Sequence, residues 1–333
     1  MELRRIQVTR GGTFFVTLPK EWALKNGLSR GSIVATSETA DGRLIIDPKY
    51  DVERAPLIVT IRPSPYLDRE IIGKYLLGYD IIRIEAKDRI SLEDRERIKR
   101  SSSRLIGLEI IEEDYSRIVM QCLLEPSALP PEKILRREHS IASSMHKDAV
   151  TALVEGDTQL AKSVIVRDNE VDRLYFLLVR ILRTIIQNPG LGEKLKIYPI
   201  DCLDYRLTAS LVESIGDQSA QIAEHVIQLN GRKPSREVSR TLLDFHRAVF
   251  EAQELALVAF FSRSISMANS VREKRSLIDS LYHKAESAIN TEPPTLIQHL
   301  LSATSIISRI YDHSIDISDL TMPRHHEERS KMI

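Results

Sequence analysis

Two pairs of carboxylates are the residues of this sequence best spaced to do chemistry. Asp168 and Asp172 stand four residues apart in DNEVD, and Glu213 and Asp217 stand four apart in ESIGD. In an α-helix that spacing puts both members of a pair on one face, a turn apart. If the two helices pack side by side, the four acids meet and repel one another unless a cation lies between them. Hard oxygen donors of this kind suit Mg²⁺, Mn²⁺ or iron. The same spacing also describes the wet face of an ordinary amphipathic helix, with Arg167, Arg173 and Arg206 available to pair with the acids. Neither a Gly-rich phosphate loop nor a Ser/His/Asp or Cys/His arrangement can be defended, so no enzymatic activity is expected. His139, His146, His225, His246 and His299 have no consistent partner in the sequence and read as surface or satisfied histidines. His325 and His326 belong to a polar tail.

The element that must carry Glu213 and Asp217 is the helix Arg206–His225, whose apolar residues cover two adjoining flanks. Gly216 in its middle costs roughly 1 kcal/mol relative to Ala, which implies that a second helix comes close to the backbone there. Leu301–Leu320 echoes this helix. Self-comparison extends the echo. His139–Tyr175 aligns without a gap with His246–Tyr282, setting Asp172 against Asp279, and the third helices align at a smaller offset that sets Asp217 against Asp312. The pattern implies an internal duplication of a three-helix unit. The second copy has Arg275 opposite Asp168, Ser308 opposite Glu213 and Tyr311 opposite Gly216. Only Asp279 and Asp312 persist there as metal-ligand candidates, with His283 and Asp316 as substitutes.

Around these helices the sequence reads as a multi-domain α+β protein. Residues 1–50 hold two hairpins flanking a short helix opened by Pro19. Residues 55–126 follow the order β-α-β-α-β-β, a small α/β domain with a largely one-sided sheet. Residues 132–322 are all-α, a pair of three-helix bundles at 132–230 and 235–322, with helices expected over Glu132–Gly156, Thr158–Gln187, Leu203–Asn230, Ser235–Phe261, Ile265–Asn290 and Thr295–Leu320. Residues 323–333 read as a disordered tail. The two cysteines, Cys122 and Cys202, are isolated, which argues against a disulfide framework or a thiolate zinc site. The longest apolar run, Leu255–Phe261, is too short to span a bilayer. A soluble, cytoplasmic protein without membrane insertion is expected. Formal net charge is zero, so any nucleic-acid contact must come from a local patch. Arg4, Arg5, Arg10, Lys20, Lys25 and Arg30 form such a patch, opposed within that stretch only by Glu2 and Glu21.

Two family resemblances follow from these residues. The string TFFVTLPKEWALKNGLSRGSIV and its flanks resemble the AbrB/SpoVT looped-hinge family, and the match covers residues 1–50. That implies an N-terminal swapped-hairpin β-barrel, a homodimer and double-stranded DNA as partner, although some relatives use the fold only for dimerisation. Asp168-x-x-x-Asp172, the E-x-x-G-D-x-S segment Glu213–Ser219 and Tyr311-Asp312-His313-Ser314 resemble the PhoU family over roughly residues 135 to 320. That implies a regulator of phosphate uptake whose carboxylates hold a metal cluster, divalent or ferric (Fe, Mg, Mn or Zn), on Asp168, Asp172, Glu213 and Asp217. Ser210 and Gln218 stand where the family commonly has Arg and His. Together the resemblances imply a DNA-binding transcriptional regulator of phosphate uptake. The alternative is an adaptor that binds a phosphate transporter or signalling kinase, its N-terminal domain serving only as a dimer clamp.

Overall fold

The computed structural model describes residues 3–38, 42–48 and 56–322, and the chain divides into two compact units between Ala55 and Pro56. In the N-terminal unit, β1 (Gln7–Val8) pairs antiparallel with β2 (Phe14–Phe15) around the turn at Gly12, whose φ of 85° a side chain would disfavour. Helix α1 (Lys20–Lys25) follows Pro19 and buries none of its residues. Strands β3 (Ala35–Glu38) and β4 (Leu44–Asp47) form the second antiparallel pair. Residues 40 and 41 of its expected turn lie outside the described residues. The expected barrel is not closed within one chain, because the two hairpins form separate two-stranded sheets. The physical reason is visible in the side chains: Leu3, Ile6, Phe14, Phe15, Val16, Leu24, Ile33 and Leu44 are all exposed, so the described residues of this unit form no core in a single copy.

The second unit begins with a four-stranded sheet of β5 (Ile58–Ile61), β6 (Ile81–Glu85), β7 (Leu108–Glu113) and β8 (Arg117–Cys122), in the order β5-β6-β8-β7. β5 and β6 run parallel through the crossover helix α2 (Leu67–Leu76), and the remaining pairs are antiparallel. Ile82 and Ile84 alternate inward from β6 onto Leu67, Ile71 and Tyr75 of α2 and Ile98 of α3 (Leu92–Ser103), a core on one face of the sheet.

Helices α4 (Pro131–Glu155), α5 (Thr158–Gln187) and α7 (Pro199–Leu229) pack as the first bundle. Gly156 ends α4 in the left-handed conformation, and Asp157 starts α5 by accepting from the backbone N–H groups of Gln159 and Leu160. The stretch between the helices expected over Thr158–Gln187 and Leu203–Asn230 contains a further helix, α6 (Pro189–Leu195). Proline at the first helical position starts a helix, and Lys196 at φ 55° ends this one. In the second bundle, α8 (Arg236–Ser262) and α11 (Pro294–Asp319) flank α9 (Ile265–Glu273) and α10 (Arg275–Ile289). These last two replace the single helix expected over Ile265–Asn290. Lys274 separates them with a near-helical φ of −70° and ψ of −9°, loosening one turn, while its ammonium reaches Glu251 of α8 at 3.0 Å.

The bundles meet along α4 against α8 and α7 against α11. At the first seam, His146 Nδ1 lies 2.8 Å from Gln253 Oε1, and Gln253 Nε2 donates to Ser143 Oγ at 2.9 Å. His246 Nδ1 approaches His146 Nε2 at 3.2 Å. These contacts are mutually consistent when both rings are neutral and Nδ1 donates in each. At the second seam, Gln218 meets His313 at 2.9 Å and His225 meets His299 at 3.1 Å. These histidines therefore have partners across the seams that the sequence did not reveal. The α/β domain is bolted to α5 by Arg180, 3% exposed, which donates to the carbonyls of Tyr75 at 2.6 Å and Tyr79 at 2.9 Å and stacks on the Tyr75 ring.

Candidate functional site

Packing of α5 against α7 explains the mid-helix glycine. A Cβ on Gly216 would stand 3.3 Å from Val171 Cγ1 and 3.4 Å from Asp168 Oδ1, so the glycine lets the two acid-bearing turns approach. Carboxylate oxygens of Asp172, Glu213 and Asp217 lie within 4.8 Å of one another, a spacing that can hold a metal ion. Asp168 borders this triad one turn away. It presents its carboxylate to the Gly216 backbone, and its charge is felt by Glu213.

The electrostatics are those of crowded, partly dehydrated acids. Burial, then the charges of Asp217, Asp172 and Asp168, push the Glu213 carboxyl up to about 7, with Arg206 opposing. Burial, then Asp217, Asp172 and Glu224, push Asp168 up to about 6. Asp217 is raised by burial and by Asp172. Beneath them on α4, Glu138 is fully buried and neither of its oxygens has a hydrogen-bond partner. Burial, then the Glu213 charge, hold its proton well above the ordinary carboxylate range.

The cations predicted to pair with these acids are mostly engaged elsewhere. Arg167 binds Asp148 at 2.6 Å, and Arg206 stacks on the Tyr175 ring at 4.7 Å while its charge still favours ionised Glu213. The ion pair the sequence missed comes from the α/β domain: Arg104 meets Asp172 at 3.0 Å. Nothing local signals a contact across 68 residues. Glu138 was missed as well, although it interrupts the buried stripe Ile134, Leu135, Ala142, Met145 and Ala149 of α4 at helical spacing, a signal that could have found it.

In the second bundle the equivalent space is filled by protein. Arg275 bonds Asp312 at 2.8 Å, lies 4.0 Å from Asp279 and covers the Tyr311 ring at 4.8 Å. The Tyr311 hydroxyl donates to the Val271 carbonyl at 2.9 Å. One guanidinium thus serves both Asp279 and Asp312 and offsets one of their two charges. His283 and Asp316 turn to their own helices, toward Glu286 and His313. In the N-terminal unit, Arg4, Arg5, Arg10, Lys20, Lys25 and Arg30 are all exposed, and Arg4 donates to Thr17 at 3.2 Å. His325 and His326 lie outside the described residues.

Comparison with known proteins bears on the helical half. The PhoU domain profile matches residues 135–226, the first bundle. A phosphate-specific transport system accessory protein PhoU homolog of Pseudomonas putida is 31% identical over 194 residues, which cover 53% of this chain and 70% of that protein. The chain belongs to the PhoU family. A PhoU homolog of the same description from Rhizobium meliloti (strain 1021) is 28% identical over 189 residues, 54% of this chain and 77% of the relative. The crystal structure of PhoU from Pseudomonas aeruginosa matches with a TM-score of 0.52 at 21% identity, covering 59% of this chain and 95% of that one, so the two share the helical fold. Among the described residues no helix is long and apolar enough to cross a membrane. This chain sets the PhoU bundle after an α/β domain and the N-terminal hairpin unit.

Proposed function

We propose that the protein is a PhoU-type accessory regulator of phosphate transport, an adaptor whose first bundle binds a cation and a transporter or signalling partner. The observation carrying this reading is the Asp172–Glu213–Asp217 triad, set on the bundle that matches the family. The donor set fits a hard divalent or ferric ion: all-oxygen ligands, burial and then mutual repulsion raising Glu213 and Asp168, and the unpartnered Glu138 carboxyl beneath. Asp172, Glu213 and Asp217 would hold the ion, with Asp168 beside them. Once bound, it would supply positive charge able to take an anionic oxygen of a ligand or partner. Gly216 lets the two helices approach, and the acids keep the site anionic. The second bundle, with Arg275 as a resident cation, is structural in this reading.

The test is phosphate uptake, together with co-purification of the phosphate transporter, in cells lacking the chain and complemented with wild type or Asp172→Asn/Asp217→Asn. Uptake that ignores deletion at every phosphate supply, with no transporter co-purifying, refutes the adaptor.

A second reading is favoured by one observation in the N-terminal unit. Leu3, Ile6, Phe14, Phe15, Val16, Leu24, Ile33 and Leu44 are exposed in a single copy while Arg4, Arg5, Arg10, Lys20, Lys25 and Arg30 face solvent. We infer that two copies interleave their hairpins into a swapped barrel and carry a doubled basic face suited to double-stranded DNA. A gel-shift with the full chain decides. Salt-dependent retardation lost on Arg4→Ala/Arg5→Ala/Arg10→Ala supports a transcriptional role, and its absence leaves the hairpins as a dimer clamp.

A further inference from the structure

A cavity of about 470 Å³ opens between α4, α5 and the junction with the α/β domain. Five aliphatic side chains, Ile106, Leu129, Ile134, Leu174 and Leu177, form its wall. Lys133 and Arg137 project from consecutive turns of α4, and Arg173 faces them from α5. Among the described residues none of these three cations forms an ion pair, and the buried Nε of Arg173 has no acceptor. That is not the habit of this region. Arg104 has Asp172, Arg167 has Asp148 and Arg180 has Asp80. Like charges a turn apart on one helix repel, so leaving Lys133 and Arg137 side by side costs stability that no protein acid recovers. Glu170 is the one acid on the lining and is itself exposed.

We propose that this cavity binds a nucleotide-sized organic phosphate, its phosphoryl group held by Lys133, Arg137 and Arg173 and its less polar body laid on the aliphatic wall. Three cations against one acid leave two net positive charges, which suit a phosphoryl dianion better than a monocarboxylate. Arginine donors match phosphate oxygens in pairs, and Arg173 has an Nε–H to spare. The volume falls within the range of small-molecule sites, about 300–1,000 Å³. Orthophosphate alone would leave the aliphatic wall uncovered. Because Ile106 belongs to the α/β domain and the other walls to the linker and the first bundle, the ligand would bridge the two. The site is separate from the acid triad and does not depend on metal there.

Calorimetric titration of the full chain with ADP and GDP, and with pyrophosphate and inorganic phosphate in parallel, tests this. The nucleotides are expected to bind at least tenfold more tightly than pyrophosphate. Arg137→Gln and Arg173→Gln should each weaken them by roughly tenfold or more, Glu170→Gln should tighten them, and Asp217→Asn should leave them unchanged. Unchanged melting of Arg137→Gln, which alters an exposed side chain, separates lost binding from lost fold. Pyrophosphate binding as tightly as the nucleotides, indifference to Arg137→Gln, or no binding of either nucleotide at millimolar concentration overturns the proposal.

Discussion

Replacing Glu213 with Gln should stabilise the metal-free protein at pH 8, although it removes a charged residue from the best-formed site. Glu213 is held up to about 7 against an ordinary 4.5 by burial and by three neighbouring carboxylates. At about 1.4 kcal/mol per pH unit the folded state bears a penalty of roughly 3 kcal/mol for ionising it, which solvent screening at this half-buried position reduces to about 1–2 kcal/mol. The sign follows from proton counting. Between the unfolded and folded values the folded state holds more protons, so wild-type stability falls as pH rises from about 4.5 and the loss is complete above about 7. Glutamine does not titrate. With chelator present, thermal melting should therefore place the variant about 2–6 °C above wild type at pH 8, the gap closing toward pH 4.5. Adding Mn²⁺ or ferric iron should reverse the order, because wild type gains about 2.7 kcal/mol at a hundredfold excess over Kd and the variant gains far less. A variant less stable than wild type at pH 8 in chelator, or a gap that ignores pH, would refute the argument that the acids are crowded.

Three other perturbations have definite outcomes. Arg104→Gln removes the bridge to Asp172; it should cost less than about 1 kcal/mol yet tighten metal binding severalfold in calorimetry, since Asp172 is no longer shared. His146, held down to about 4 by burial, and His246, lowered by burial and then by His146, are stable only when neutral. That contribution is complete above pH 6.5 and is lost as pH falls, so His246→Gln should move the acid-unfolding midpoint to lower pH, followed by circular dichroism. Phe14→Asp, at an exposed apolar position of the N-terminal unit, should convert the dimer expected in sedimentation velocity to monomer without altering the melting of the helical domain.

Legibility followed the range of the forces involved. Helix α5 was readable to the residue, because its cap, Asp157, and its apolar period are local. Gly216 announced a close approach and the structure supplies Val171 as the neighbour. The duplication foretold that Arg275 stands where the first bundle has Asp168 and Tyr311 where it has Gly216, though not that Arg275 would bind Asp312 directly. Helix α6 was missed because proline carries opposite meanings at the two ends of a helix. Arg104 and the histidine partners could not be read at all, since their contacts depend on how separately formed elements dock.

The seam between the bundles has a consequence for how the fold arose. His146 and Gln253 are 107 residues apart, the same offset that relates Asp172 to Asp279, and Gln218 and His313 are 95 apart, the offset that relates Asp217 to Asp312. Each pair therefore joins two copies of one ancestral position, which is what an isologous two-fold contact becomes after gene fusion. A single three-helix unit, associating as a symmetric dimer, would have had to set identical side chains against themselves at both points. Two identical imidazoles in the same tautomer cannot hydrogen-bond symmetrically across such an axis. Within one chain the two halves are free of that constraint, so one partner can be Gln and the other His, and one bundle can carry acids where the other carries an arginine.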